Sequence, residues 1–120
     1  MTKYFTNNFP VINLYKKPSV VSGVVTQMIY GEGFSISNKK GKWIKVKIKE
    51  DNYKGFIKNR NFIKYLKPTH KVNSLKAKVY KSANKKKEID ELTFGSKIKV
   101  TRKKFNFLKF QKGWLSKNNV

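Results

Sequence analysis

The second half of this 120-residue chain repeats the first half, segment by segment. Twelve positions separate Gly31 from Trp43, and the same number separates Gly95 from Phe107. Several matches in one register indicate two copies of a single structural unit. The matching segments are Leu14–Ser19 with Val79–Asn84, Met28–Gly31 with Leu92–Gly95, Trp43–Val46 with Phe107–Phe110, and Tyr53–Ile57 with Gln111–Leu115.

Short stretches of the chain alternate apolar and polar residues with a period of two, which is typical of strands with one buried face. Clusters of Gly, Asn, Asp and Ser between them predict turns near positions 22–23, 38–41, 51–52 and 112–113. No stretch keeps a helical period for a dozen residues. The chain is therefore predicted to be all-β, with each copy a small, strongly bent barrel. The clearest strand candidates are Val11–Tyr15, Phe34–Ser37, Trp43–Ile48 and Lys97–Val100.

The boundary between the copies is predicted at Leu66–Thr69, where Pro68 interrupts strand pairing. Residues 1–66 then form the first barrel and residues 67–120 the second. The copies differ in one hairpin, which is long in the first, with its tip at Glu50–Asn52, and short in the second. Units of this size bury only roughly 60% of their unfolded surface. We therefore expect the barrels to pack together or onto a further domain.

The strand Trp43–Ile48 separates its residues into an aliphatic face and a lysine face. Ile44, Val46 and Ile48 share the first face, and Trp43 shares the second with two lysines. Burying unpaired lysines costs several kcal/mol each, so the aliphatic face is predicted to be the core. In the second copy Leu108 and Phe110 take the core side and Phe107 the other. Trp43 and Phe107 then either cover a barrel end or form a platform for a ligand.

The chain carries 29 Lys and Arg against 6 Asp and Glu, a net charge of +23. Such a charge attracts polyanions of any kind. The basic residues are nevertheless scattered, and all but Arg60 and Arg102 are lysines, which lack the planar fork that favours base readout. Compositional drift and solvation explain this charge better than a selected polyanion site.

The chain has no cysteine and one histidine, His70. These counts exclude a disulfide scaffold, a thiolate zinc site, a Cys nucleophile and a multi-histidine metal site. His70 is expected to hydrogen-bond locally. We expect no catalysis by this chain, no cofactor and no metal.

No apolar run is long enough for a membrane span and no signal peptide is visible. The expected location is therefore the cytoplasm, or the cell envelope if the N-terminus has been trimmed.

Three motifs of the first copy stand out: the turn Gly31–Glu32, the strand Gly41–Val46 with its Gly-x-Trp-x-x-Val pattern, and Asp51–Phe56 with Asp-x-Tyr-x-Gly-aromatic. In this order they resemble the tandem bacterial SH3 domains that precede the catalytic domain of NlpC/P60 peptidoglycan peptidases. The second copy, from His70 to Trp114, resembles the second such domain. The family's Asn-x-Arg-x-x-Pro pattern reads Asn13-Leu-Tyr-Lys-Lys-Pro18 here, without the arginine. The resemblance implies two SH3-like barrels of a non-catalytic module, whose partner is a C-terminal domain that supplies the catalytic Cys and His.

The resemblance also implies a ligand. Enzymes of this type cut stem peptides after γ-D-Glu, and their first SH3 domain walls one side of the cleft. By this resemblance Glu32 and Tyr53 hold the free amino group of L-Ala, through charge-assisted hydrogen bonds worth about 1.5–3 kcal/mol when shielded. Asp51, Trp43 and Phe56 complete the candidate ligand-binding set. Alternatively, Glu32 is a solvated turn residue, Tyr53 packs within its hairpin and Asp51 forms an Asx turn.

A function of another class is also compatible with the sequence. A basic SH3-like barrel binds nucleic acid when exposed rings stack on bases among lysines. The candidate rings are Trp43, Phe56, Phe107 and Trp114. This alternative predicts oligonucleotide binding that persists at physiological salt. A purely structural interaction module is what remains if neither ligand binds.

Overall fold

A computed structural model describes residues 2–120 of the chain. They form two compact units, of which the first ends at Leu66 and the second is Lys67–Val120. The predicted all-β class is confirmed, because the described residues form antiparallel strands and a single 3-10 turn, Lys117–Asn119. Within residues 2–120 there is no helix whose length and apolar character would let it cross a membrane.

The first unit is one antiparallel sheet of seven strands in the order β3-β2-β6-β5-β4-β1-β7. The strand β3 lies at one edge of this sheet, and its Val24 and Val25 are 50% and 43% exposed. The strands are β1 (Tyr4–Thr6), β2 (Val11–Tyr15), β3 (Val24–Ile29), β4 (Gly33–Lys40), β5 (Trp43–Ile48), β6 (Lys54–Lys58) and β7 (Ile63–Lys64).

The second unit contains a five-stranded sheet in the order β10-β9-β14-β13-β12 and a two-stranded pair, β11-β8. Its five-stranded sheet follows the same order as β3-β2-β6-β5-β4 of the first unit. This shared order supports the internal repeat, which stays a prediction. The strands are β8 (His70–Lys71), β9 (Lys76–Tyr80), β10 (Glu88–Thr93), β11 (Lys97–Ile98), β12 (Arg102–Lys104), β13 (Phe107–Lys109) and β14 (Trp114–Ser116).

The predicted core faces are confirmed in both units. Ile44, Val46 and Ile48 are at most 1% exposed, whereas Trp43 on the opposite face of β5 is half-buried. In the first unit they pack with buried residues of the neighbouring strands, among them Leu14. In the second unit the predicted core residues Leu108 and Phe110 are each 2% exposed.

Each unit has one glycine that permits a close crossing of two strands. The strand β2 pairs with β6 only at Tyr15 and Phe56, and β9 pairs with β14 only at Tyr80 and Trp114. A Cβ on Gly55 would lie 2.6 Å from the Leu14 Cβ, and one on Gly113 would lie 2.6 Å from the Tyr80 carbonyl oxygen. Only glycine fits where the two strands approach so closely.

Two of the predicted strand limits are wrong. The strand β4 continues to Lys40, through most of the predicted turn 38–41, and the chain reverses at Gly41 with φ +60°. The predicted strand Lys97–Val100 ends at Ile98, because the Val100 N–H donates to the Thr69 Oγ1 at 2.9 Å instead of extending a ladder. The long and short hairpins are confirmed, with Asn52 at φ +63° in the long turn.

Alternation also fails at one position of β4. Ile36 is 39% exposed although Phe34, two residues earlier, is fully buried. The register against β5 shifts between Ile36 and Asn38. The bulge inserts Ser37 directly after Ile36, so Ile36 is the last residue of β4 in the register that begins at Phe34.

The hairpin between β12 and β13 contains an unusual turn residue. Phe105 has φ +54° and is 85% exposed. A bulky side chain in this left-handed region is strained, and the corresponding hairpin of the first unit has Gly41 there.

Candidate functional site

A groove of the first unit lies on the outward face of β2, β6 and β5. Its centre is an edge-to-face pair of rings, Tyr15 and Trp43, with centroids 5.8 Å apart and planes at 89°. We call it the Tyr15–Trp43 groove. It has a volume of about 400 Å³ and is lined by Val11, Ile12, Asn13, Tyr15, Val20, Gln27, Trp43, Lys58 and Arg60.

Strand alternation places these side chains together. Asn13 and Tyr15 point away from the core because Ile12 and Leu14, their neighbours on β2, are buried. Trp43 stands opposite Lys58 in the β5–β6 ladder, and the Lys58 Nζ lies 5.9 Å from the centre of the indole ring. The groove is thus a product of the same period-two pattern that builds the core.

The polar side chains of the groove are held in place. The Gln27 Nε2 donates to the Asn13 Oδ1 at 2.8 Å, which fixes one amide against the other across β2 and β3. The Arg60 guanidinium carbon lies 4.7 Å from the centre of the Phe9 ring, a cation–π contact. Lys58 and Arg60 are the charged residues of the lining, and none of the lining residues, all within 2–120, is acidic. Rings, amides and two cations suit a ligand that combines carboxylate with peptide or apolar groups.

Two of the predicted site residues belong to this face of the sheet. Trp43 lines the groove, and its role as a ligand platform stays a prediction. Phe56 is half-buried, pairs with Tyr15 across the β2–β6 crossing, and has the Lys45 Nζ 5.8 Å from its ring centre. It is not part of the groove lining.

Asp51 and Tyr53 lie on the long β5–β6 hairpin. The Asp51 Oδ1 accepts the backbone N–H of Tyr53 at 3.0 Å, so the predicted Asx turn is confirmed. Tyr53 is 55% exposed, so the interpretation of its ring as packed within the hairpin is wrong. The ring is accessible to a ligand.

Glu32 closes the turn between β3 and β4. Its Oε1 accepts the backbone N–H of Ile29 at 3.0 Å, and Gly31 supplies the φ of +86° that the turn requires. Glu32 is half-buried, so it is not a freely solvated turn residue.

The turn that contains Glu32 and the hairpin that contains Tyr53 lie at the same end of the first unit. The Lys49 N–H donates to the Gly33 carbonyl at 2.8 Å on one side of β5, and the Ile48 N–H donates to the Tyr53 carbonyl at 2.8 Å on the other. The paired amine-binding role of Glu32 and Tyr53 stays a prediction.

The sequence reasoning missed Tyr15, Arg60 and Asn7. Tyr15 was visible in the repeat, where Tyr80 matches it, and Arg60 as one of only two arginines. Asn7 gave no signal. It is fully buried, its Nδ2 donates to the carbonyls of Met28 and Ile29 at 3.1 and 3.0 Å, and its Oδ1 accepts the Phe9 N–H at 2.9 Å. Asn7 therefore fixes the connection between β1 and β2 against β3.

Two expectations concern the second unit. Trp114 is only 8% exposed, so its predicted use as a base-stacking platform is wrong. The His70 Nδ1 lies 2.8 Å from the Thr69 Oγ1, which confirms a local hydrogen bond. Among residues 2–120 no three His, Cys, Asp or Glu side chains gather into a group that could hold a metal ion.

Comparison with known families matches residues 14–61 to the model described as the bacterial dipeptidyl-peptidase Sh3 domain. The matched segment runs from β2 to just beyond β6 and includes all five predicted site residues and the ring pair of the groove. The match supports a bacterial SH3 domain in the first unit, and a domain of this kind is a binding module without catalysis of its own. No curated protein matches the chain.

Proposed function

We propose that this chain is a non-catalytic SH3 module of a peptidoglycan peptidase of the NlpC/P60 type, and that the Tyr15–Trp43 groove holds a stem peptide. The groove carries the proposal, because it joins an aromatic pair to two cations with no acidic residue among its described lining. The family match adds support, since its description names a peptidase.

The chemistry of a stem peptide complements this lining. The peptide L-Ala-γ-D-Glu-diaminopimelate carries several carboxylates on an apolar and amide backbone. Lys58 and Arg60 would bind carboxylates, and the rings of Tyr15 and Trp43 would cover methyl and methylene groups. Because both cations are exposed, we expect about 4–5.5 kcal/mol in all, a Kd between about 1 mM and 0.1 mM. A positioning module attached to a catalytic domain needs no tighter binding, because attachment raises the effective concentration.

The amine-binding pair extends the same proposal. Glu32 and Tyr53 would hold the ammonium of L-Ala, which requires a free N-terminus on the stem peptide. The hydrogen bond from the Ile29 N–H supports this role because it fixes the direction of the Glu32 carboxylate. The exposed ring of Tyr53 provides the second contact.

Calorimetric titration of the full chain with the tripeptide tests the proposal. Trp43→Ala should weaken binding at least tenfold, because it removes half of the ring pair. Phe94→Ala is the control, since Phe94 is an exposed ring of the second unit outside the groove lining, and it should leave the Kd within twofold. The double variant Lys58→Gln with Arg60→Gln alters exposed side chains only and should also weaken binding about tenfold.

Two results would contradict the proposal. The first is an absence of heat at a tripeptide concentration of several millimolar, and the second is an equal loss in the Trp43 and Phe94 variants. Oligonucleotide binding that persists at physiological salt, without binding of the tripeptide, would favour the nucleic-acid alternative instead.

A further inference from the structure

The second unit has a groove of its own, formed by β9, the loop that follows it, the end of β14 and the turn Lys117–Asn119. We propose that it is a second binding site for peptide carboxylates, so that one chain binds two ligand molecules. The identity of the ligand as a stem peptide rests on the proposed function, whereas the existence of the site does not. The groove has a volume of about 260 Å³ and is lined by Lys76, Lys78, Tyr80, Lys85, Ser116, Asn118 and Asn119.

A ring pair like that of the first groove recurs in the second unit, although only Tyr80 of this pair, itself 8% exposed, lines the second groove. Tyr80 and Phe107 have centroids 6.1 Å apart and planes at 88°, against 5.8 Å and 89° for Tyr15 and Trp43. Each tyrosine is the last residue of its strand and the point where that strand crosses its partner, at Phe56 in one unit and at Trp114 in the other. The two grooves are thus built around the same crossing.

The lining residues of the two grooves occupy matching positions. Lys76, Lys78 and Lys85 lie 65 positions after Val11, Asn13 and Val20 of the first groove. Ser116 and Asn118 lie 58 positions after Lys58 and Arg60, and the smaller separation reflects the shorter hairpin before β14.

Positive charge is present in both grooves but on opposite walls. In the first groove it comes from Lys58, the last residue of β6, and from Arg60, two residues further on. In the second it comes from β9 and the loop that follows it. The Lys78 Nζ is 3.7 Å from the Glu88 Oε2, so that charge is partly neutralised. Lys76 and Lys85 remain, which gives each groove two cations for an anionic ligand.

The polar wall of the second groove supplies hydrogen-bond donors. The Asn119 Oδ1 accepts the Ser74 hydroxyl at 2.8 Å, which fixes the amide and leaves its NH₂ group as a donor. Fixed amide donors beside lysines bind carboxylate with direction as well as charge. Since this groove is smaller than the first, we expect it to take a shorter part of the peptide.

A titration of the isotope-labelled full chain with the tripeptide, followed by amide NMR, reports on each groove separately. We expect two groups of shifted resonances, one around Tyr15 and one around Tyr80, each with its own Kd. The double variant Lys76→Glu with Lys85→Glu should raise the Kd of the second group at least tenfold and leave the first within twofold. The control is Lys81→Glu with Lys87→Glu, which makes the same change in net charge at exposed lysines outside the lining.

The outcomes separate this inference from the proposed function. Shifts around Tyr15 alone would overturn the second site and leave the first standing. Shifts around Tyr80 alone would support the second site and overturn the first, and no shifts at all would overturn both. Equal shifts around Tyr80 with inorganic phosphate, or with a tripeptide whose carboxylates are amidated, would overturn peptide carboxylate as its ligand. An equal effect of the control variant would reduce the site to general attraction by charge.

Discussion

Replacement of Gly55 or Gly113 by alanine tests the close strand crossing that underlies both grooves. The new Cβ would lie 2.6 Å from its nearest neighbour, about 1 Å short of an ordinary contact. At Gly55 that neighbour is the Cβ of Leu14, and at Gly113 it is the backbone oxygen of Tyr80. Neither atom can move by a change of rotamer, so the strands themselves must separate.

The expected loss follows from two opposing effects. Overpacking of a core costs about 1–3 kcal/mol, and the rigidity of both neighbours places these sites at the upper end. Loss of glycine's freedom in the unfolded chain returns about 0.4–1 kcal/mol. The net destabilisation of the affected unit is therefore about 1–2.5 kcal/mol. With a slope near 1 kcal/mol/M for a unit this small, the urea midpoint should fall by about 1–2.5 M.

Tryptophan fluorescence can follow each unit separately, because Trp43 belongs to the first and Trp114 to the second. Gly55→Ala is measured in a Trp114→Phe background and Gly113→Ala in a Trp43→Phe background. Lys54→Ala, an exposed neighbour on β6, is the control and should change stability by less than about 0.5 kcal/mol. A Gly55→Ala midpoint equal to that of the control would refute the account of the crossing.

Three further predictions concern single side chains. Glu32→Gln should weaken binding of the free-amine tripeptide several-fold and leave the N-acetylated form unchanged, and equal effects on both in calorimetry would remove the amine-binding role. Asn7→Ala should destabilise the first unit by about 2–3 kcal/mol in urea unfolding, because three hydrogen bonds are lost. The control Asn8→Ala removes a buried side-chain oxygen without a hydrogen-bond partner and should cost less than about 0.5 kcal/mol. Phe105→Gly should stabilise the second unit by about 0.5–1 kcal/mol. Relief of about 1–2 kcal/mol of backbone strain in the folded state exceeds the cost of the greater freedom that glycine has in the unfolded chain. A lower unfolding midpoint in urea would contradict this.

The sequence predicted the parts of the fold that local periodicity determines. The core residues Ile44, Val46 and Ile48 could be found because alternation alone assigns them to one face. The end of β4 could not, since Asn38 and the lysines after it read as a turn while ladder pairing to β5 keeps them extended. Cross-strand pairing between distant segments is invisible to local pattern.

The same limit applies to the candidate site. Alternation placed Trp43 on the lysine face of β5 and the resemblance made it a candidate, but its partner Tyr15 lies 28 positions earlier on a strand that reaches β6 at a single residue pair. At the matching crossing of the second unit Trp114 is 8% exposed, whereas Phe56 in the first unit is half-buried, a difference that the sequence pattern does not show. A motif identifies which residues are candidates, and only the sheet order shows which of them meet.

The open edge of the first sheet has a consequence for the behaviour of the protein at high concentration. The strand β3 presents an uncharged row, Val24–Ile29, to any second chain that could extend the sheet. At low ionic strength the mutual repulsion of molecules with a net charge of +23 keeps such chains apart. In 1 M salt the screening length falls to about 3 Å, and copies of this edge can pair. The abundant lysines, which build none of the core, would thus keep the protein from associating through this sheet edge.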